Sequence, residues 1–178
     1  MVKEKIPRGS LMSLFRVLVA LAVVAVLASC GKPPSKFRTY NGPEVTQVVV
    51  HKAARRMELW HHHQRLRVFT VELGGAPFGH KHREGDSRTP EGDYIIDRRN
   101  PNSRFHLSIG IDYPNEADIA YAEANGWKPG GDIFIHGRGP HFRNARGDWT
   151  EGCIAVTDRE MEDIYAMVRD GTPIRINP

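Results

Sequence analysis

The chain has little cysteine, no apolar run long enough to span a bilayer, and almost no net charge once its first thirty residues are set aside. Two cysteines in 178 residues, Cys30 and Cys153, leave no material for a disulfide framework, and each stands in a setting that gives it a separate task. No disulfide between them is expected. The longest apolar run, Val17 to Ala28, falls short of the ~20 residues a spanning helix needs. The formal charge of +4 is concentrated ahead of Cys30, where Lys3, Lys5, Arg8 and Arg16 oppose only Glu4. The rest is therefore near neutral, which removes the clustered basic surface that nucleic-acid binding requires. Length and apolar share suit one catalytic-sized domain plus a targeting segment, and exclude two full domains.

What is present is organised around the stretch from Gly131 to Val156. An apolar strand pattern, Ile133 to Ile135, delivers His136 beside Gly137; a polar, glycine-containing loop follows; then comes Thr150-Glu151-Gly152-Cys153. A thiol becomes a useful nucleophile as thiolate, and a neighbouring imidazole can take its proton. Gly152 permits a sharp turn that could aim the amides around Cys153 at an oxyanion.

His-Gly, a loop and Ser/Thr-X-Gly-Cys together resemble the signature of the YkuD-type L,D-transpeptidase catalytic domain, and the resemblance runs from about Val45 to Pro178. Thr89, Pro90 and Gly92 are similar to that domain's Thr-Pro-X-Gly segment. The resemblance implies a mainly β fold, a β-sandwich-like curved sheet with two helices. It implies a cysteine acyl transferase that acts on peptidoglycan tetrapeptide stems through a thioester, with no cofactor and no metal. Catalytic roles then fall to Cys153, His136, Gly137 (whose carbonyl orients the imidazole) and Gly152. Substrate contacts are expected from Thr89, His106, Thr150 and Glu151. Many relatives carry His before the Gly-Cys pair and Arg two residues after the Cys, where this chain has Glu151 and Ala155. That form is similar to a branch containing an amidase, so hydrolysis is the alternative to transfer. A non-catalytic wall-binding lipoprotein is the further alternative.

The basic leader and its apolar run read as a secretory signal. Leu27-Ala28-Ser29-Cys30 resembles a bacterial lipobox, which makes 1–29 a signal peptide, Cys30 the acylated mature N-terminus, and 30–44, rich in Pro, Gly, Lys and Ser, a flexible tether. Gly31 does not resemble an inner-membrane retention signal, so the expected location is the periplasmic face of the outer membrane. The catalytic domain is 45–178.

Within it, strands are expected over Val45–Lys52, Arg56–Trp60, Leu66–Leu73, Gly92–Arg98, Phe105–Ile111 and Pro173–Ile176. Helices are expected over Glu116–Asn125 and after Thr157, where Thr157 and Glu160 form a capping-box pattern. His61, His62 and His63 suit a solvated hairpin turn, because adjacent residues point in different directions and rarely converge on one ion. His80 and His82 are expected to flank the cleft. His106 shares a strand face with Ser108 by alternation, and so would either line the cleft or bond internally.

Overall fold

Valines at every second position in β1 (Gln47–His51) turn Val48 and Val50 fully inward, the alternation expected of a half-buried strand. The computed structural model describes residues 35–178, and its compact unit spans Phe37–Pro178. The signal segment and residues 30–34 of the expected tether, Cys30 among them, lie outside the described residues. The end of that tether is not free as expected: Arg38 pairs with Glu162 and Asp163, and Tyr40 packs against the core.

β1 pairs antiparallel with β2 (Arg56–His61), which pairs antiparallel with β3 (Gln64–Thr70). On its other side β1 runs parallel to the last strand, β8 (Pro173–Asn177), which buries Ile174 and Ile176. β8 pairs with β4 (Gly92–Asn100), then come β5 (Ser108–Ile111), β6 (Phe134–His136) and β7 (Ile154–Ala155). The sheet order is β3-β2-β1-β8-β4-β5-β6-β7.

This is one curled sheet rather than two stacked ones, because its ends approach each other: Glu72, just past β3, exchanges both backbone hydrogen bonds with Ala155 of β7 at 2.9 and 2.8 Å. The curl creates a half-barrel. Phe69, Val71 and Leu73 face its core, which leaves Val68, Thr70 and Glu72 on the opposite side. β5 begins three residues later than its sequence pattern suggests, since His106 adopts φ +79° and Leu107 turns back to bond the Phe105 carbonyl at 3.1 Å.

Two helices flank the sheet. α1 (Glu116–Ala124) starts at Asn115 with a capping box completed by Asp118, and buries only Ala122. α2 (Asp158–Met167) is capped by Thr157 and Glu160 and lays Met161, Ile164 and Met167 against β5 and β6. Packing against β6 ties the helix start to the strand that carries His136.

Two long connections are fixed by charged groups, Lys52 buried and Asp148 partly so. Lys52, 1% exposed, donates to Glu91 Oε1 (2.8 Å) and to the carbonyls of Thr89 and Gly79, and so pins the segment before β4. Asp148 accepts from Arg55 and from the Leu73 amide (2.9 Å), and so pins the loop between β6 and β7. A buried ion is tolerated only with such complete pairing.

Candidate active site

His136 is the last residue of β6, as expected, paired with Ser108 on one side and Ala155 on the other, and 2% exposed. Its Nδ1 lies 2.6 Å from the Gly137 carbonyl oxygen. A carbonyl only accepts, so Nδ1 carries the proton and Nε2 is left with a lone pair, the form a general base needs. Phe105 stacks on the ring at 4.4 Å between centroids and Trp149 meets it edge-on at 5.7 Å. Burial under these rings holds the imidazole pKa below its ordinary value, partly opposed by the Gly137 bond.

Cys153 precedes β7, which runs parallel to β6 with Ile135 beside Ile154 and His136 beside Ala155. That register sets Cys153 against Phe134, whose amide donates to Sγ at 3.4 Å, so nucleophile and base lie on one face of neighbouring strands. The thiol donates in turn to the Asp132 carbonyl at 3.4 Å. Burial pushes the thiol pKa up to about 11; the Phe134 amide opposes this, Asp132 and Glu151 add to it, and Lys81 pulls it down. The resting pair is therefore neutral thiol and neutral imidazole.

The turn before Cys153 depends on Gly152, at φ +129°, where a Cβ would stand 2.6 Å from the Arg88 carbonyl oxygen. Thr150 Oγ1 donates to the Cys153 carbonyl (2.7 Å) and accepts from the Gly152 amide (3.2 Å). Of the amides around Cys153 expected to face an oxyanion, that of Gly152 is thus turned onto Thr150. Cys153 and His136 line a cavity of about 680 Å³ with Lys81, Arg104, Glu151 and Trp149. A smaller recess of about 390 Å³, bounded by Asn100, Ser103 and Ser108, reaches the same two side chains.

Thr150 and Glu151 line the larger cavity as expected. Thr89 does not: it is fully buried, its Oγ1 accepts from the Gly74 amide at 3.3 Å and its carbonyl holds Lys52, so its role is to build the wall behind the cleft. His106 also leaves the cleft. The positive φ rotates its ring to the helix side, where Nε2 meets Glu162 Oε1 of α2 at 3.0 Å. His80 bonds Asp118 (3.0 Å) and His82 packs on Tyr121, both towards α1 rather than on the cleft rim. His62 and His63 form the β2–β3 turn, and among the described residues no group of three or more His, Cys, Asp or Glu is placed to hold a metal.

Asp158 is a residue that sequence reasoning did not reach. The first residue of α2, it accepts from the amides of Arg138 (2.7 Å) and Gly139 (2.8 Å) through one oxygen, and a Cβ on Gly137 would stand 2.6 Å from that oxygen. Gly137 has to be glycine because this carboxylate occupies the space. By clamping the two amides after it, Asp158 fixes the Gly137 carbonyl that holds the His136 ring, which makes it a positioning residue. Asp158→Ala is expected to lower kcat/KM roughly ten- to hundredfold and to move the acid limb of the pH profile to lower pH, because losing the Gly137 bond removes what raises the His136 pKa. Asp158→Asn, which keeps an acceptor, should retain most of the activity. Equal losses in both variants, with no movement of the acid limb, would assign Asp158 to stability alone.

Residues 46–176 match the YkuD family, the L,D-transpeptidase catalytic domain. YafK of Escherichia coli strain K12, provisionally named as an L,D-transpeptidase, is 28% identical over 127 residues, covering 68% of this chain and 46% of its own. The chain thus spans about half the length of the curated relatives it matches. Among solved structures, the helical cell-shape-determining protein Pgp2 of Campylobacter jejuni superposes with a TM-score of 0.59 at 23% identity, over 81% of this chain and 51% of Pgp2. An L,D-transpeptidase of Mycobacterium smegmatis does so at 0.52 and 16%, over 77% and 60%. At such identities the structural likeness establishes the fold.

Proposed function

Because the chain belongs to the YkuD family of L,D-transpeptidase catalytic domains, we propose that it is a cysteine acyltransferase acting on the tetrapeptide stems of peptidoglycan. The observation that carries this reading is that Cys153, just before β7, and His136, at the end of β6, line one cavity, with the imidazole held as the Nδ1–H tautomer by Gly137. Cys153 Sγ attacks the carbonyl of diaminopimelate at its bond to D-alanine while His136 Nε2 takes the thiol proton. The tetrahedral adduct collapses, the C–N bond breaks, and the imidazolium returns that proton to the departing D-alanine amine. An acceptor amine then attacks the thioester, loses its proton to His136, and releases the thiol.

Two recesses that meet at Cys153 suit a reaction with two peptide substrates, whereas hydrolysis needs only one. The experiment is mass spectrometry of muropeptides incubated with the purified protein. Cross-linked or exchanged product with release of D-alanine supports transfer, tripeptide alone supports hydrolysis, and unchanged muropeptides reject both.

Glu151 puts an exposed carboxylate on the cleft, where it raises the thiol pKa and would attract a cationic acceptor amine. Glu151→His is expected to leave Cys153 open to alkylation and to change the ratio of transfer product to free tripeptide. An unchanged ratio and an unchanged alkylation profile would place the acceptor preference elsewhere. The high thiol pKa is also what a non-catalytic wall-binding module would retain, but such a module has no use for a tautomer-locked imidazole beside the thiol.

Delivery to the wall follows from the anchor reading, in which Cys30 is acylated and the residues between it and the compact unit tether the domain to the periplasmic face of the outer membrane. Cys30→Ala is expected to move the protein to the soluble periplasm or block its processing. Equal labelling of wild type and variant with tritiated palmitate would reject the lipid anchor.

A further inference from the structure

A stem tetrapeptide carries carboxylates at its C-terminus, on the diaminopimelate side chain and on its γ-linked glutamate, and a cleft that receives it needs a cation to orient it. The position two residues after the nucleophile supplies none, because it is the buried Ala155. Lys81 does. It lines the cavity that holds Cys153 and His136, yet is 3% exposed. Two of its three ammonium protons are engaged, by Asp86 Oδ1 at 2.9 Å and the Arg83 carbonyl at 3.0 Å, which leaves one donor without a hydrogen-bond acceptor among the described residues, with the Tyr113 ring 6.0 Å away.

Asp86 does not cancel this charge. Its carboxylate also accepts the amides of His82 (2.8 Å), Arg83 (3.1 Å) and Arg88 (3.1 Å), so its negative charge is spread over four donors. The lysine is thus held in place by a partner whose charge is largely answered elsewhere. Its field reaches the site, since it pulls the Cys153 pKa down against burial. Arg104, exposed and packed over the Phe105 ring at 5.0 Å, lines the same cavity and has no carboxylate within ion-pair distance among the described residues. The acids of the cavity are Glu84, Asp132 and Glu151.

We propose that Lys81, assisted by Arg104, forms a carboxylate subsite that orients the peptide substrate beside Cys153. This rests on the peptidoglycan reading above. A charge-assisted hydrogen bond made in a largely desolvated setting is worth roughly ten- to hundredfold in affinity.

The test is calorimetric binding of a synthetic stem tetrapeptide to Cys153→Ala protein, with and without Lys81→Met and Asp86→Asn made together, so that no unpaired buried carboxylate remains. Four probes are used: the free acid and the three monoamides made at its C-terminus, its diaminopimelate side chain and its γ-linked glutamate. The paired change is expected to weaken the free acid roughly ten- to hundredfold and to leave one amide unaffected within about twofold; which amide it is identifies the carboxylate that Lys81 holds. Equal weakening of all four, or of none, overturns the subsite while the substrate reading stands. No binding of any peptide to the Cys153→Ala protein overturns the substrate reading and the subsite with it.

Discussion

Cys153→Ala is expected to reduce turnover at least ~10⁴-fold, to the limit of detection, while the variant unfolds within about 1 kcal/mol of the wild type. The loss is large because no other described residue of the cleft offers a thiol: Cys153 is the one free cysteine among the described residues. The stability change is small because Cys153 as a residue is not fully buried and the two contacts of its thiol, with the Phe134 amide and the Asp132 carbonyl, are long at 3.4 Å each. Cys153→Ser should be almost as inactive. A hydroxyl is a far weaker acid than a thiol, and the same burial that pushes the thiol to about 11 would press the hydroxyl further out of reach. Measured release of D-alanine from muropeptides at near wild-type rate by either variant would sink the thioester mechanism.

His136→Asn is expected to cost ~10²- to 10⁴-fold in kcat/KM, the range for loss of a general base. Asparagine is chosen because it leaves less of a void beneath Phe105 and Trp149 than alanine would. The pH dependence separates the two roles. In the wild type the reactive form is neutral imidazole beside neutral thiol. Activity should therefore hold as pH falls through the ordinary imidazole range and drop only at the lower pKa that burial gives His136. Without the base, attack depends on the free thiolate, so both turnover and iodoacetamide alkylation should rise steadily with pH towards about 11, with no acid limb in the neutral range. An acid limb that survives unchanged in His136→Asn would mean that another group takes the proton.

Glycine placement explains why so much of this site can be read from residues alone. Gly137 and Gly152 flank the two reactive side chains at positions where a Cβ would strike Asp158 or the Arg88 carbonyl, so the motif records contacts made far away in the chain. The strands were legible by alternation, as in Val48 and Val50, and both helices by their capping residues Asn115 and Thr157. His106 was misplaced because alternation assumes an unbroken strand, and a single residue at φ +79° turns the ring from the cleft to Glu162. Thr89 was misplaced for another reason: a turn motif states backbone shape, and here its buried hydroxyl serves the Gly74 amide.

Amino-acid order by itself determined which thiol and imidazole are the candidate pair, the family, the strand periodicity and the helix starts, all of which depend on neighbours a few residues apart. Tertiary structure alone decided that the sheet curls until Glu72 meets Ala155, that Asp158 clamps the loop behind His136, and that Lys81 brings a held positive charge to a cleft whose sequence motif has none. Those contacts join residues separated by tens of positions, and which side chains meet there follows from strand register and curvature, which no local pattern encodes.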